Sequence, residues 1–168
     1  MAEPRWLSEE EQQAWRAFLR AGVRLLERLD AELEEAHGMS LADYEVLADL
    51  SEAPGERLRM RDLAEMALVS RSRLTHAVDR LQAAGLVRRE RCGADRRGVN
   101  AVLTPKGRRL LEEAAPTHVE GVRRYLVDCG SAAELTRLTS LFSRVTQTLA
   151  EAGRACSSDE DDGAENTS

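Results

Sequence analysis

The segment that decides the fold runs from Ser70 to Leu103 and reads SRSRLTHAVDRLQAAGLVRRERCGADRRGVNAVL. Ser70 suits an N-cap, because its side-chain oxygen can accept from a backbone N–H in the first helical turn. Beyond it, Leu74, Ala77, Val78, Leu81 and Ala84 recur at three- and four-residue steps. That spacing predicts a helix with one buried face, ending at Gly85, a residue suited to a left-handed terminal position. The opposite face carries Arg71, Ser72, Arg73, Thr75, His76, Asp79 and Arg80. Leu86–Arg91 and Val99–Leu103 then read as strands joined by a turn over Cys92–Gly98, a β-hairpin with an arginine-rich tip.

The polar face has the chemistry of a surface that reads DNA. Arginine donates two hydrogen bonds to guanine O6 and N7, serine, threonine and histidine read single groups, and a helix N-terminus favours phosphate. An ordinary solvated helix face has the same composition, since exposed arginine is common. At the hairpin tip, Asp95 precedes Arg97 by two residues, with Arg96 between them and Gly93 and Gly98 on either side. A guanidinium pushed into a narrow minor groove gains from the negative potential there, and a carboxylate two residues away holds it extended. Alone, the same residues describe a charged turn with an ion pair worth ~0–1 kcal/mol.

Working outward, a helix is expected from about Arg61 to Ala67, with Leu63, Ala64 and Ala67 inward, and Leu68-Val69 forms the tight turn to Ser70. Leu58–Met60 is read as short and extended, and Glu52–Glu56 as a turn. Ser40 caps a helix carrying Leu41, Tyr44, Leu47, Ala48 and Leu50. Before it, Ser8 and Glu11 form a capping box for a long helix whose apolar face runs from Trp15 and Phe18 to Leu33 and Ala36, ending near His37-Gly38. Downstream, Thr104 and Pro105 open a helix toward Cys129 that Pro116 should kink. A second box, Ser131 with Glu134, opens a helix whose Leu135, Leu138, Phe142, Val145 and Leu149 form a heptad-like seam suited to a partner helix. After Ala150 the hydrophobicity collapses, and residues 151–168 are expected to be a disordered acidic tail.

The chain of 168 residues carries a net charge of -6, which is unfavourable for a nucleic-acid binder until its distribution is considered. Arg57 to Arg109 holds 14 basic and 5 acidic residues, a charge of +9, leaving 10 basic and 25 acidic residues, or -15, elsewhere. A basic middle on an acidic scaffold is the footprint of a DNA-contacting lobe. No apolar run approaches ~18 residues, so no membrane span is expected. Met1–Trp6 lacks a basic patch followed by an apolar stretch, so the cytoplasm is the expected location. Cys92, Cys129 and Cys156 are scattered and odd in number, which argues against a disulfide framework or a zinc site. His37, His76 and His118 show no metal-ligand spacing, and no phosphate-binding glycine loop or nucleophile elbow is present. Neither an enzyme nor a cofactor is expected.

The motifs Leu63-Ala64, Val69 to Thr75, Val78 to Leu81, Gly85 to Arg89, Asp95 to Arg97 and Leu103 to Gly107 together resemble the MarR family of bacterial regulators. The resemblance runs from roughly Trp15 to Leu149, and its specific part is Leu63–Gly107. It implies a mainly α fold with a small β-hairpin wing: a winged helix-turn-helix lobe at about 41–104 and dimerisation helices at about 8–37 and 105–150, a single domain over 8–150. It implies a homodimer that binds a pseudo-palindromic double-stranded operator, with repression as its output. The second helix of the motif, with Ser70, Arg71, Ser72, Arg73, Thr75, His76 and Arg80, would enter the major groove. Arg97 would reach the minor groove, steadied by Asp95. Arg96 and Arg88 would sit near phosphate, with Arg89 either there or structural.

The resemblance also implies release by a small aromatic or phenolic effector, for which Trp15, Arg20, His37, Tyr44 and His118 are the candidate contacts. Tyrosine at such a position is more often a core aromatic than a ligand contact, and His118 is more readily read as an interface residue. Cys92, among the wing arginines, offers a second route, since neighbouring positive charge favours a reactive thiolate. Against all of these stands a helical interaction module without DNA binding, which would explain the seam but has no use for Asp95-Arg96-Arg97.

Overall fold

A computed structural model describes residues 4–67, 70–91 and 98–158. The order is α1 (Glu9–His37), α2 (Leu41–Glu52), a 3-10 turn (Pro54–Glu56), β1 (Arg57–Arg59), α3 (Met60–Met66), α4 (Arg71–Ala83), β2 (Val87–Arg91), β3 (Val99–Leu103), α5 (Pro105–Tyr125), a second 3-10 turn (Val127–Cys129) and α6 (Ala132–Ser158). The chain divides into two compact units, one ending at Tyr125 and the other beginning at Leu126. The expected turn at Leu68-Val69, the wing-tip residues Cys92, Asp95, Arg96 and Arg97, and the tail beyond Ser158 lie outside the described residues.

Local capping chemistry sets the helix starts. Ser8 and Glu11 close a full capping box on α1, and Ser40 with Asp43 does the same for α2. Ser131 and Glu134 exchange the equivalent bonds ahead of α6. Each box satisfies N–H groups that the helix itself leaves open. Helix α5 continues across Pro116 without interruption. α6 extends through Ser158, eight residues past the boundary expected at Ala150. The physical reason is that Glu151, Ala152, Arg154 and Ala155 are strong helix formers, and a helix continues on propensity after its apolar stripe has ended.

In the first unit the core is built where α2 lies under α4 and the sheet. Leu33, Leu47, Leu50, Leu63, Leu74, Val78 and Val87 are fully buried there. The expected hairpin gains a third strand: β1 pairs antiparallel with β3, which also pairs with β2, in the order β1-β3-β2. Met60, expected to be extended, opens α3 instead.

The end of α4 is held by the start of α5. Gly85 takes φ +72°, the left-handed conformation that turns the chain out of the helix. The Thr104 hydroxyl lies 2.8 Å from the Gly85 carbonyl and 3.0 Å from that of Leu86, and it accepts the Gly107 N–H at 3.1 Å. Lys106 donates to the Ala84 carbonyl at 2.8 Å, placing a cation at the negative end of α4. Gly107 is buried so closely that an added Cβ would lie 2.2 Å from the Leu86 carbonyl oxygen and 2.9 Å from Leu103 Cδ1. Gly107→Ala should therefore cost about 1–3 kcal/mol through overpacking against backbone. Urea denaturation checks this, and an unchanged midpoint would contradict the close packing.

Outside the core, α1 exposes Trp15, Phe18, Leu19, Val23 and Leu26. In the second unit, Leu141, Phe142, Val145 and Leu149 of α6 are exposed, and Leu135 and Leu138 are half-buried. The seam expected from the heptad spacing is present as a row of apolar side chains.

Candidate nucleic-acid interface

Helix α4 turns Leu74, Ala77, Val78 and Leu81 inward, and this fixes which side chains face solvent. Arg71, Ser72, Arg73, Thr75, His76, Asp79 and Arg80 are all exposed, as the periodicity requires. Ser70 caps the helix and contacts the Ser72 hydroxyl at 3.1 Å. Arg71, Arg73 and His76 project from the first turns with no side-chain partner among the described residues. At this end of a helix the uncapped N–H groups and the dipole add to the positive potential.

The remaining candidates are partly committed to the protein. The Thr75 hydroxyl donates to the Arg71 carbonyl at 2.9 Å. Arg80 donates to Asp43 at 2.8 Å. Asp43 is buried, and it also accepts from the Ser40 hydroxyl at 2.8 Å while its N–H is received by Ser40. One carboxylate thus caps α2 and anchors α4. Sequence reasoning missed Asp43, because its partner lies 37 residues away; only its position in a capping box hinted at a role. Arg88 contacts Glu90 on the same strand. Arg89 donates to Asp79 at 2.6 Å and to Gln82 at 2.9 Å, which ties β2 to α4.

A helix buried on one side, presenting exposed arginines at its N-terminus and followed by a β-hairpin, is the arrangement the motifs implied, with β1 added to the hairpin as a third strand. A family model described as MarR family matches residues 37–98. Over 126 residues the chain is 30% identical to the HTH-type transcriptional regulator PecS of Dickeya dadantii, covering 74% of this chain and 75% of that protein. The chain belongs to the MarR family. Among solved MarR-family transcriptional regulators, Sco3205 of Streptomyces coelicolor, in complex with DNA, is 42% identical, with a TM-score of 0.84 over 89% of this chain and 93% of that one. AbsC of the same organism is 41% identical, with a TM-score of 0.82 over 88% and 99%. The protein is thus a MarR-family transcriptional regulator, and no helix among its described residues is long and apolar enough to cross a membrane.

The five effector candidates do not form one site. Tyr44 and His118 stack with ring centroids 4.3 Å apart, joining α2 to α5. His37 shares a hydrogen bond of 2.9 Å with Thr117, the neighbour of His118. Trp15 instead stacks on Phe18, and Arg20 is exposed further along α1. A cavity of about 970 Å³ opens between α1, α2 and α4, and none of the five lines it.

His118 is a titratable group in an unfavourable position. Its Nδ1 is buried with no hydrogen-bond partner among the described residues, and burial lowers its pKa below the ordinary histidine value. Burial likewise raises the pKa of Tyr44. Since the unfolded chain binds the His118 proton more readily, its contribution to stability is complete above pH ~6.5 and lost as the pH falls through the folded value. His118→Phe should keep the stack and shed this acid sensitivity. Denaturation midpoints of the variant and the parent should therefore diverge between pH 7.5 and 5.5, with the variant favoured at the lower pH; parallel curves would refute the assignment.

Proposed function

We propose that this MarR-family protein is a homodimer that binds a pseudo-palindromic operator in double-stranded DNA and represses by occupying it. The observation that carries the reading is the first two turns of α4, where Arg71, Ser72, Arg73 and His76 are exposed and the arginines and histidine have no partner among the described residues. Such side chains reach base edges when the helix lies in the major groove, and its N-terminus meets phosphate. The similarity to Sco3205, solved with DNA, supports this. By family resemblance Arg97, with Asp95 beside it, takes the minor groove, and Arg96 and Arg88 stay near phosphate. Arg80 enters the interface as a residue oriented by Asp43.

Dimerisation is supported by the apolar side chains that α1 and α6 leave in water. Exposed rows such as Phe142, Val145 and Leu149 are unfavourable on a monomer and are removed by pairing with a second copy. Two-fold symmetry then places the two α4 helices about one DNA turn apart, ~34–36 Å. A dimer over a promoter excludes polymerase by position alone. Release by a small molecule is supported by the cavity beside α4, whose lining includes Arg73, His76 and Arg80.

Fluorescence anisotropy with a duplex selected from random sequence tests the reading. Affinity should fall steeply with salt, and Arg73→Ala should cost about 1–3 kcal/mol while relaxing discrimination at one base pair. An equal loss on every duplex would assign Arg73 to phosphate. No binding to any duplex at low salt would remove the proposal. Separately, Phe142→Glu with Leu149→Glu should convert the dimer to a folded or unfolded monomer in sedimentation. A dimer that persists would place its interface elsewhere.

A further inference from the structure

The cavity between α1, α2 and α4, about 970 Å³ in volume, falls in the size range of small-molecule sites and is walled in part by Leu26, Leu41 and Val46. Its charged groups separate into those already satisfied and those that are not. Asp30 accepts the Leu41 N–H at 2.7 Å, Asp79 holds Arg89, and Arg80 is held by Asp43. Glu45 and Asp49, on successive turns of α2, are half-buried and have no hydrogen-bond or ion-pair partner among the described residues. Glu27 on α1 joins them at the exposed edge. On the opposite wall the groups without partners among the described residues are Arg73 and His76, both exposed.

The imbalance is unfavourable for the protein alone. Glu45, Asp49 and Glu52 follow at intervals of four and three, so like charges stack along one side of a helix. Burial, then the neighbouring carboxylates, raises the pKa of Glu45 and of Asp49. A carboxylate removed from water without a partner is costly, and a positive charge brought into the cavity reverses that cost.

We propose that this cavity binds an organic cation carrying an apolar, multi-ring body, with its charge against Glu45 and Asp49 and its rings against the aliphatic wall. The inference deepens the effector reading above by naming the ligand class, and it is opposite in sign to the phenolic anion that the family resemblance implies. An anion would lie beside three carboxylates. A cation would meet the unpaired groups on α2 while touching the α4 wall that carries Arg73 and His76.

Two ions of one shape and opposite charge test this directly: tetraphenylphosphonium and tetraphenylborate, titrated calorimetrically into the full-length protein without DNA. The phosphonium should bind saturably at one site per chain, at least tenfold tighter than the borate. Glu45→Gln combined with Asp49→Asn should weaken the phosphonium at least tenfold and leave the borate no weaker. Equal or tighter borate binding, or an unchanged phosphonium affinity in the double variant, would overturn the proposal. So would a parent protein that takes up no phosphonium, the result expected if a basic side chain of a second copy fills the cavity. The double variant should unfold at or above the parent's midpoint, since it removes unpaired charge. A lower midpoint would mean that the carboxylates already have a partner, and it too would defeat the idea. Because these titrations contain no duplex, loss of the operator-binding reading would leave their outcome separately readable.

Discussion

The C-terminal end of α4 and the first turn of α5 share one set of hydrogen bonds, and the direction of every exposed side chain on α4 depends on it. Thr104 and Lys106 take up the carbonyls of Ala84, Gly85 and Leu86, groups that a helix end leaves without internal partners. Gly107 permits the approach, because any side chain there would meet the Leu86 carbonyl. At its other contact the helix is fixed by Asp43 through Arg80, and Arg89 ties it to β2. Three attachments from three different elements hold one helix, so its exposed face is presented by a rigid support.

What could be read in advance follows the range of the interactions concerned. The capping boxes at Ser8 and Ser131 each close within three residues, so a short window of sequence contains both partners, and Ser40 is legible as a cap for the same reason. The exposed face of α4 was equally legible, because a 3.6-residue period determines which side chains lie opposite Leu74 and Val78. Strand β1 was seen as extended, but its pairing with β3 joins residues more than forty positions apart and leaves no local mark. The same applies to Asp43 and Arg80, whose link depends on how α2 and α4 pack. The end of α6 is obscured for a different reason: the apolar residues stop near Ala150, whereas backbone helix propensity carries the helix to Ser158.

The residues that line the cavity were the least legible. A cavity has walls from several elements, and here α1, α2 and α4 contribute residues from Leu26 to Arg80. Tyr44 and His118 stack on each other and join two helices, outside the lining of this cavity. Glu45 and Asp49 look like ordinary surface acids in a string of letters. Only their half-buried position and their lack of partners among the described residues distinguish them. Charge sign alone carries no information about solvation until neighbours are known.

With α4 in the major groove as proposed, one small contact would restrict what that helix is able to recognise. The hydroxyl proton of Thr75 is already engaged with the Arg71 carbonyl. Toward an approaching duplex the side chain therefore offers lone pairs and a methyl group, with no hydrogen left to give. Such a surface favours the exocyclic amine of adenine or cytosine, or the methyl of thymine, and is indifferent or averse to the carbonyl edge of guanine. Selectivity at that step would be inherited from an intrahelical bond and would survive any change in the flanking arginines.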